Sequence, residues 1–161
     1  MLISDNGAAT AIAEAIGGNV NHFASMMNEK ARAIGAVVTH FVNANGMPDE
    51  DHYSTARDMS KIAQYGLRNK EFQQIVSTKS KQVHYERPSK KLPCTNTNHL
   101  LFTYDGAIGV KTGYTHAAQG CLAAAATRNG RTLIAVIMHA GWDSRFTEAA
   151  ALLDHGFEMK K

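Results

Sequence analysis

Residues 107–139 read AIGVKTGYTHAAQGCLAAAATRNGRTLIAVIMH. Ala107 to Lys111, Gly120 to Thr127 and Thr132 to His139 are β-compatible runs of strand length. Arg128-Asn129-Gly130-Arg131 joins the last two, and Asn-Gly is the strongest short hairpin signal because a type I′ turn needs positive φ at both central residues. The expectation is an antiparallel three-stranded meander.

Upstream, the periodicity changes to that of helices. Asp5, Asn6 and Gly7 form a turn that opens a helix, with Ala8, Ala9, Ile12, Ala13 and Ile16 at helical spacing before Gly17-Gly18 ends it. A second helix, capped by Asn21, carries Phe23, Met26, Met27, Ala31 and Ile34 and stops at Gly35, giving an antiparallel helical hairpin. Asn43 to Asp51 is rich in turn formers and reads as a loop. Ser54 then caps a helix with Ala56, Met59, Ile62, Ala63 and Leu67, and Asn69 caps a short one around Phe72 and Ile75. Ser77 to Leu92 is polar, with Val83 and Tyr85 alternating against Gln82, His84 and Glu86, as in an exposed hairpin. After the meander, Asp143 or Ser144 caps a closing helix with Phe146, Ala149, Ala150, Leu153 and Phe157 on one face. Helices, then strands, then a helix make an α+β pattern, with helices packed on an antiparallel sheet.

The chain has 161 residues, 44% hydrophobic and 19% charged, which suits one ordinary core or most of one. Its formal charge of +3 arises from scattered Lys and Arg, so no nucleic-acid footprint is indicated. No stretch reaches the ~18 apolar residues of a membrane span, and the N-terminus lacks the pattern of a signal peptide. Met1-Leu2-Ile3 runs into Ser4 without a polar lead-in, which suggests a missing upstream segment. Cys94 and Cys121 form no Cys-x-x-Cys pair, and no two of the eight His stand at metal-ligand spacing, so no metal or other cofactor is expected.

Two short motifs carry the chemistry. Lys111-Thr112-Gly113 ends the first strand run, and Ser4-Asp5-Asn6 opens the first helix. Each alone has an ordinary reading, the lysine as an edge gatekeeper and the serine turn as a helix cap. Together, in this order and these contexts, they match two of the three motifs of penicillin-recognising serine enzymes. The third, Ser-x-x-Lys, is absent, because no Ser of the chain has Lys three residues later.

Around these motifs the chain resembles the serine D-alanyl-D-alanine carboxypeptidases, the low-molecular-mass penicillin-binding proteins. The matching stretches are Asn28 to Ala31, Thr39 to Asn43, His52 to Ala56, Ile75 to Thr78, Asn96 to Asn98, Gly109 to Thr115 and Leu152 to Phe157. The resemblance implies a β-lactamase/transpeptidase-like fold, with residues 1–161 forming the C-terminal part of one such domain and contributing about three core strands. It also implies removal of a terminal D-Ala from peptidoglycan stem peptides through an acyl-enzyme, and binding of β-lactams. The intact parent protein would then work outside the cytoplasm, and this chain, without the nucleophile, would be inactive alone.

By the same resemblance, Ser4 relays a proton between the catalytic lysine of the absent motif and the leaving amine. Asn6 orients the substrate amide, and Lys111 stands within about 3 Å of Ser4, raising the positive potential. Thr112 and Gly113 receive substrate along the strand edge, and the Thr115 N–H supplies one oxyanion donor. Arg145 matches the position of an arginine that binds the terminal carboxylate, a task suited to a planar guanidinium. His116 and His139 take structural roles.

The chain departs from the family's usual pattern at Asp5 and Gly7. Asp5 makes the serine motif read like that of class A β-lactamases, but no Glu-x-x-Leu-Asn is present to supply their deacylating base. A different class of function, a non-catalytic module that binds cell-wall peptide or acts as a scaffold, follows from the missing nucleophile.

Overall fold

The structure of the protein, a computed structural model, describes residues 1–86 and 89–159. In chain order the elements are helices α1 (Asn6–Gly17), α2 (Val20–Ala33), α3 (Ala56–Gly66) and α4 (Lys70–Ser77), and strands β1 (Ser80–Glu86) and β2 (Ser89–Thr95). There follow α5 (Leu100–Thr103), β3 (Ala107–Thr115), β4 (Gln119–Arg128), β5 (Arg131–Ala140) and α6 (Ser144–Glu158).

The helix starts follow side-chain capping. Asp5 accepts from Ala8 N–H and opens α1, and Asn69 accepts from Phe72 N–H and opens α4. Two starts differ by a residue or two from the sequence reading. Asn19, not Asn21, caps α2 by accepting from His22 N–H, and Thr55, not Ser54, caps α3 by accepting from Asp58 N–H. In each case two capping residue types lie close together, and extended backbone at the true cap decides. The Ser54 hydroxyl instead meets that of Thr39 at 2.9 Å. Ile12 and Ile16, expected on the packed face of α1, are exposed, and Ala13 is the residue α1 buries.

β1 and β2 pair antiparallel as a separate, largely exposed hairpin, with Val83 opposite Leu92. Arg87 and Pro88, within the segment expected to form it, lie outside the described residues. β3, β4 and β5 form the antiparallel meander in that order, so β4 is central and β3 and β5 are its flanks. Asn129 and Gly130 join β4 to β5 with φ of 51° and 72°, the left-handed pair that Asn-Gly favours.

The central strand explains the Ala123 to Ala126 run. Leu122, Ala124 and Ala126 pack with Phe146, Ala149 and Leu153 of α6 on one face. Ala123 and Ala125 pack with Ala63, Leu67 and Val76 from the α3–α4 side on the other. A strand buried on both faces by helices shows no polar alternation, and alanine lets both layers approach closely.

Candidate functional site

Ser4 and Lys111 reach one another through two local distortions. Ser4 sits at φ 54°, in a turn closed by its N–H donating to the Met1 carbonyl, just before the Asp5 cap. β3 carries a register shift between Ala107 and Gly109, with Gly109 at φ 99°. A Cβ at Gly109 would strike the Val76 carbonyl oxygen, so glycine alone lets β3 lie this close to the end of α4. Val110 follows at φ 120°, unusual for a β-branched residue, and strain of this kind costs about 1–3 kcal/mol. Beyond it, Lys111 Nζ donates to Ser4 Oγ at 2.7 Å and also to the Thr112 carbonyl. Burial pulls the Lys111 pKa below its ordinary value.

Thr112 is buried and its hydroxyl shares a 2.6 Å hydrogen bond with that of Thr97. Thr97 also donates its backbone N–H to the Leu2 carbonyl at 3.2 Å, which ties the segment before Ser4 to the Lys-Thr-Gly strand. Gly113 stands opposite Cys121 on β4 and is exposed on the flanking strand. The Thr115 hydroxyl accepts from Ala118 N–H at 2.9 Å and closes the β3–β4 turn. Asn6 begins α1, and its amide points to Met47 Sδ at 3.7 Å in the loop that follows α2.

Arg145 enters from the first turn of α6. It is 3% exposed, and its Nε and Nη1 have no hydrogen-bond partner among the described residues. The guanidinium lies over two rings, 4.4 Å from the Trp142 centroid and 4.7 Å from that of Phe146. Phe146 is backed by His99, stacked at 4.6 Å, and Trp142 meets Tyr114 edge-on at 4.9 Å. Gly120 seats the preceding loop, because a Cβ there would meet the Gly141 carbonyl at 2.6 Å. Desolvation lowers the Arg145 pKa, partly offset by Asp143, yet the group stays cationic across the accessible range.

Ser4, Asn6, Lys111, Thr112, Gly113, Thr115 and Arg145 all line one cavity of about 800 Å³. It is bordered by two basic side chains, Lys111 and Arg145, and none of its lining residues among those described is Asp or Glu. Such a site favours the anionic end of a ligand. His116 and His139 do not line it, whereas His52 and His99 do. Among the described residues, no group of three or more His, Cys, Asp or Glu could hold a metal ion.

Sequence reasoning did not single out Thr97, Tyr114 and Trp142 at this cavity. The pairing of Thr97 with Thr112 spans 15 positions and leaves no local signal. For Trp142, aromatic residues three before and one after an arginine were a readable sign of stacking.

Comparison with known proteins gives the family. A family profile described as D-alanyl-D-alanine carboxypeptidase matches residues 1–141. The D-alanyl-D-alanine carboxypeptidase DacF of Bacillus subtilis is 36% identical over 159 residues, which cover 98% of this chain and 41% of that protein. A D-alanyl-D-alanine carboxypeptidase of a Streptomyces species is 34% identical over 170 residues, covering 99% of this chain and 58% of the relative. A solved structure of a Streptomyces DD-transpeptidase mutant superposes with a TM-score of 0.94 at 34% identity, covering 99% of this chain and 65% of that one. The chain therefore spans between about two-fifths and two-thirds of these relatives' lengths. By profile, sequence and fold, the chain belongs to the D-alanyl-D-alanine carboxypeptidase family.

Proposed function

We propose that this chain supplies the substrate-receiving wall of a serine-type D-Ala-D-Ala carboxypeptidase of peptidoglycan maturation. The observation that carries the reading is Arg145, a buried guanidinium that has, among the described residues, no hydrogen-bond partner at Nε and Nη1 and shares with the Lys111–Ser4 pair a cavity they line without a carboxylate. A stem peptide ending in D-Ala-D-Ala has one terminal carboxylate for the cations and a backbone to lie along the flank of β3. Ser4 and Lys111 then carry protons to and from the reacting amide, Asn6 and Thr112 orient it, Gly113 leaves room for it, and the Thr115 N–H supports the developing oxyanion. β-Lactams present the same carboxylate and a strained amide, and are the second ligand class. Such an enzyme works where peptidoglycan lies, outside the cytoplasmic membrane.

The acyl-enzyme needs a serine nucleophile with a lysine three residues on, and the 161 residues hold none. The chain alone is therefore expected to bind but not to hydrolyse the peptide, and not to be labelled covalently by a fluorescent penicillin. The cavity gives a class A β-lactamase reading no support, since its lining offers no carboxylate as deacylating base.

The test is amide NMR of the chain titrated with an acetylated peptide ending in D-Ala-D-Ala. Saturable shifts at Thr112, Gly113 and Thr115 are expected, and shifts confined to other surfaces would sink the reading.

A further inference from the structure

We propose that Trp142 is the positioning residue that aims Arg145, and so sets the selectivity of this cavity for a ligand ending in a free carboxylate. The inference rests on the carboxylate reading given above. It concerns how the guanidinium is held.

A guanidinium presents two faces and an edge. Two aromatic rings lie against the guanidinium of Arg145, Trp142 at 4.4 Å and Phe146 at 4.7 Å. The protein gives Nε and Nη1 no acceptor among the described residues, so no hydrogen bond there fixes the orientation of the group. Stacking does so instead, and leaves the Nε and Nη1 edge to an incoming anion, where a planar carboxylate can accept more than one N–H.

The two rings are not equivalent. Phe146 is 6% exposed and packs in the core with Ala149 and Leu153, with His99 stacked on its ring. Trp142 is 57% exposed and is steadied at its edge by Tyr114, itself 40% exposed. Trp142 and Tyr114 both line the ligand cavity. Of the two rings against Arg145, the exposed one is therefore a side chain that can be changed without opening the core. A cation over an indole is worth roughly 0.5–2 kcal/mol, enough to keep one orientation of a side chain that otherwise has several.

Trp142 is also the one tryptophan of the chain, so its emission reports directly on the cavity. The test measures, by calorimetry, the affinity of an acetylated D-Ala-D-Ala peptide as the free acid and as the C-terminal amide. The ratio of the two is compared among wild type, Trp142→Ala, Trp142→Phe and Trp142→Leu. The expected result is an acid-to-amide preference that falls by about tenfold in Trp142→Ala and Trp142→Leu, whatever either change does to the affinity for the amide, with Trp142→Phe restoring the preference. Trp142→Leu keeps apolar bulk without a π face, and serves if the alanine variant unfolds the loop. In wild type the tryptophan emission should change with the same midpoint as the calorimetric titration. An unchanged ratio in the Ala and Leu variants, with wild type discriminating, overturns the role of Trp142 and leaves the carboxylate reading standing. A wild-type ratio near one overturns both.

Discussion

Lys111 Nζ lies 2.7 Å from Ser4 Oγ across 107 positions of chain, and no acidic residue lines the cavity around them. Burial lowers the lysine's pKa, so its charged form costs folding stability. That cost is complete below the folded pKa and disappears above the unfolded value near ~10.4, so wild-type stability should rise with pH across that interval relative to a variant without the amine. Lys111→Met should melt within about 2 °C of wild type or higher at neutral pH, and should lose the pH-dependent difference. It should also weaken peptide binding by about tenfold. Paired urea melts at pH 7 and near pH 10 check this, and a large loss of stability at pH 7 would count against a functional burial of the charge.

Gly109 admits β3 against the Val76 carbonyl at a φ of 99°. Gly109→Ala should cost roughly 2–3 kcal/mol, because strain and collision act together, and should displace Lys111 from Ser4. Denaturant midpoints and amide shifts at residues 110–113 measure the two effects.

The Thr97–Thr112 hydroxyl pair, at 2.6 Å, joins the segment before Ser4 to the strand bearing Lys111. Thr97→Val keeps shape and removes the hydrogen bond, so stability should fall by about 1 kcal/mol. Peptide affinity should fall further than that of a matched surface variant such as Thr103→Val. Equal effects of the two would reduce Thr97 to ordinary packing.

Asp58 is linked to the cavity lining through Thr39, whose hydroxyl meets that of Ser54. It is buried and accepts from Val38 N–H at 2.6 Å, Thr39 Oγ1 at 3.0 Å and Lys61 Nζ at 3.0 Å. Desolvation alone would raise its pKa, but the bonds from Lys61, Val38 and Thr39 prevail and lower it. A lowered carboxyl pKa contributes stability that is present above the unfolded value of about 3.9 and is lost as pH falls through the lower folded value. Asp58→Asn should therefore lower the melting temperature by roughly 5 °C or more at neutral pH and flatten the acid limb below about pH 4. Thermal melts from pH 2 to 7 read both.

The sheet, its Asn-Gly hairpin and the closing helix were legible because apolar runs and turn chemistry are local. The ends of β3 were less so. The sequence reading stops at Lys111, whereas the strand runs to Thr115, because Gly113 and Tyr114 are exposed and lack the apolar signature of a buried strand. The four-residue α5 carries too little periodicity to read. Within the site, Ser4, Asn6 and Lys111 were found through motifs, and the cavity brings all three together. Arg145 was placed by resemblance, but its near-complete burial was not legible from its residue type, since arginine is ordinarily exposed; the neighbouring Trp142 and Phe146 were the local sign of it.

The central claim is that Arg145 and Lys111 make this cavity a receptor for the carboxylate end of a D-Ala-D-Ala peptide. The most direct measurement is the calorimetric affinity of the acetylated peptide acid for wild type and for Arg145→Ala, each set against the C-terminal amide. Wild type should prefer the acid by about tenfold or more, equivalent to about 1.4 kcal/mol, and Arg145→Ala should bind acid and amide alike. Equal binding of acid and amide by wild type, or an acid preference that survives in Arg145→Ala, would contradict the account.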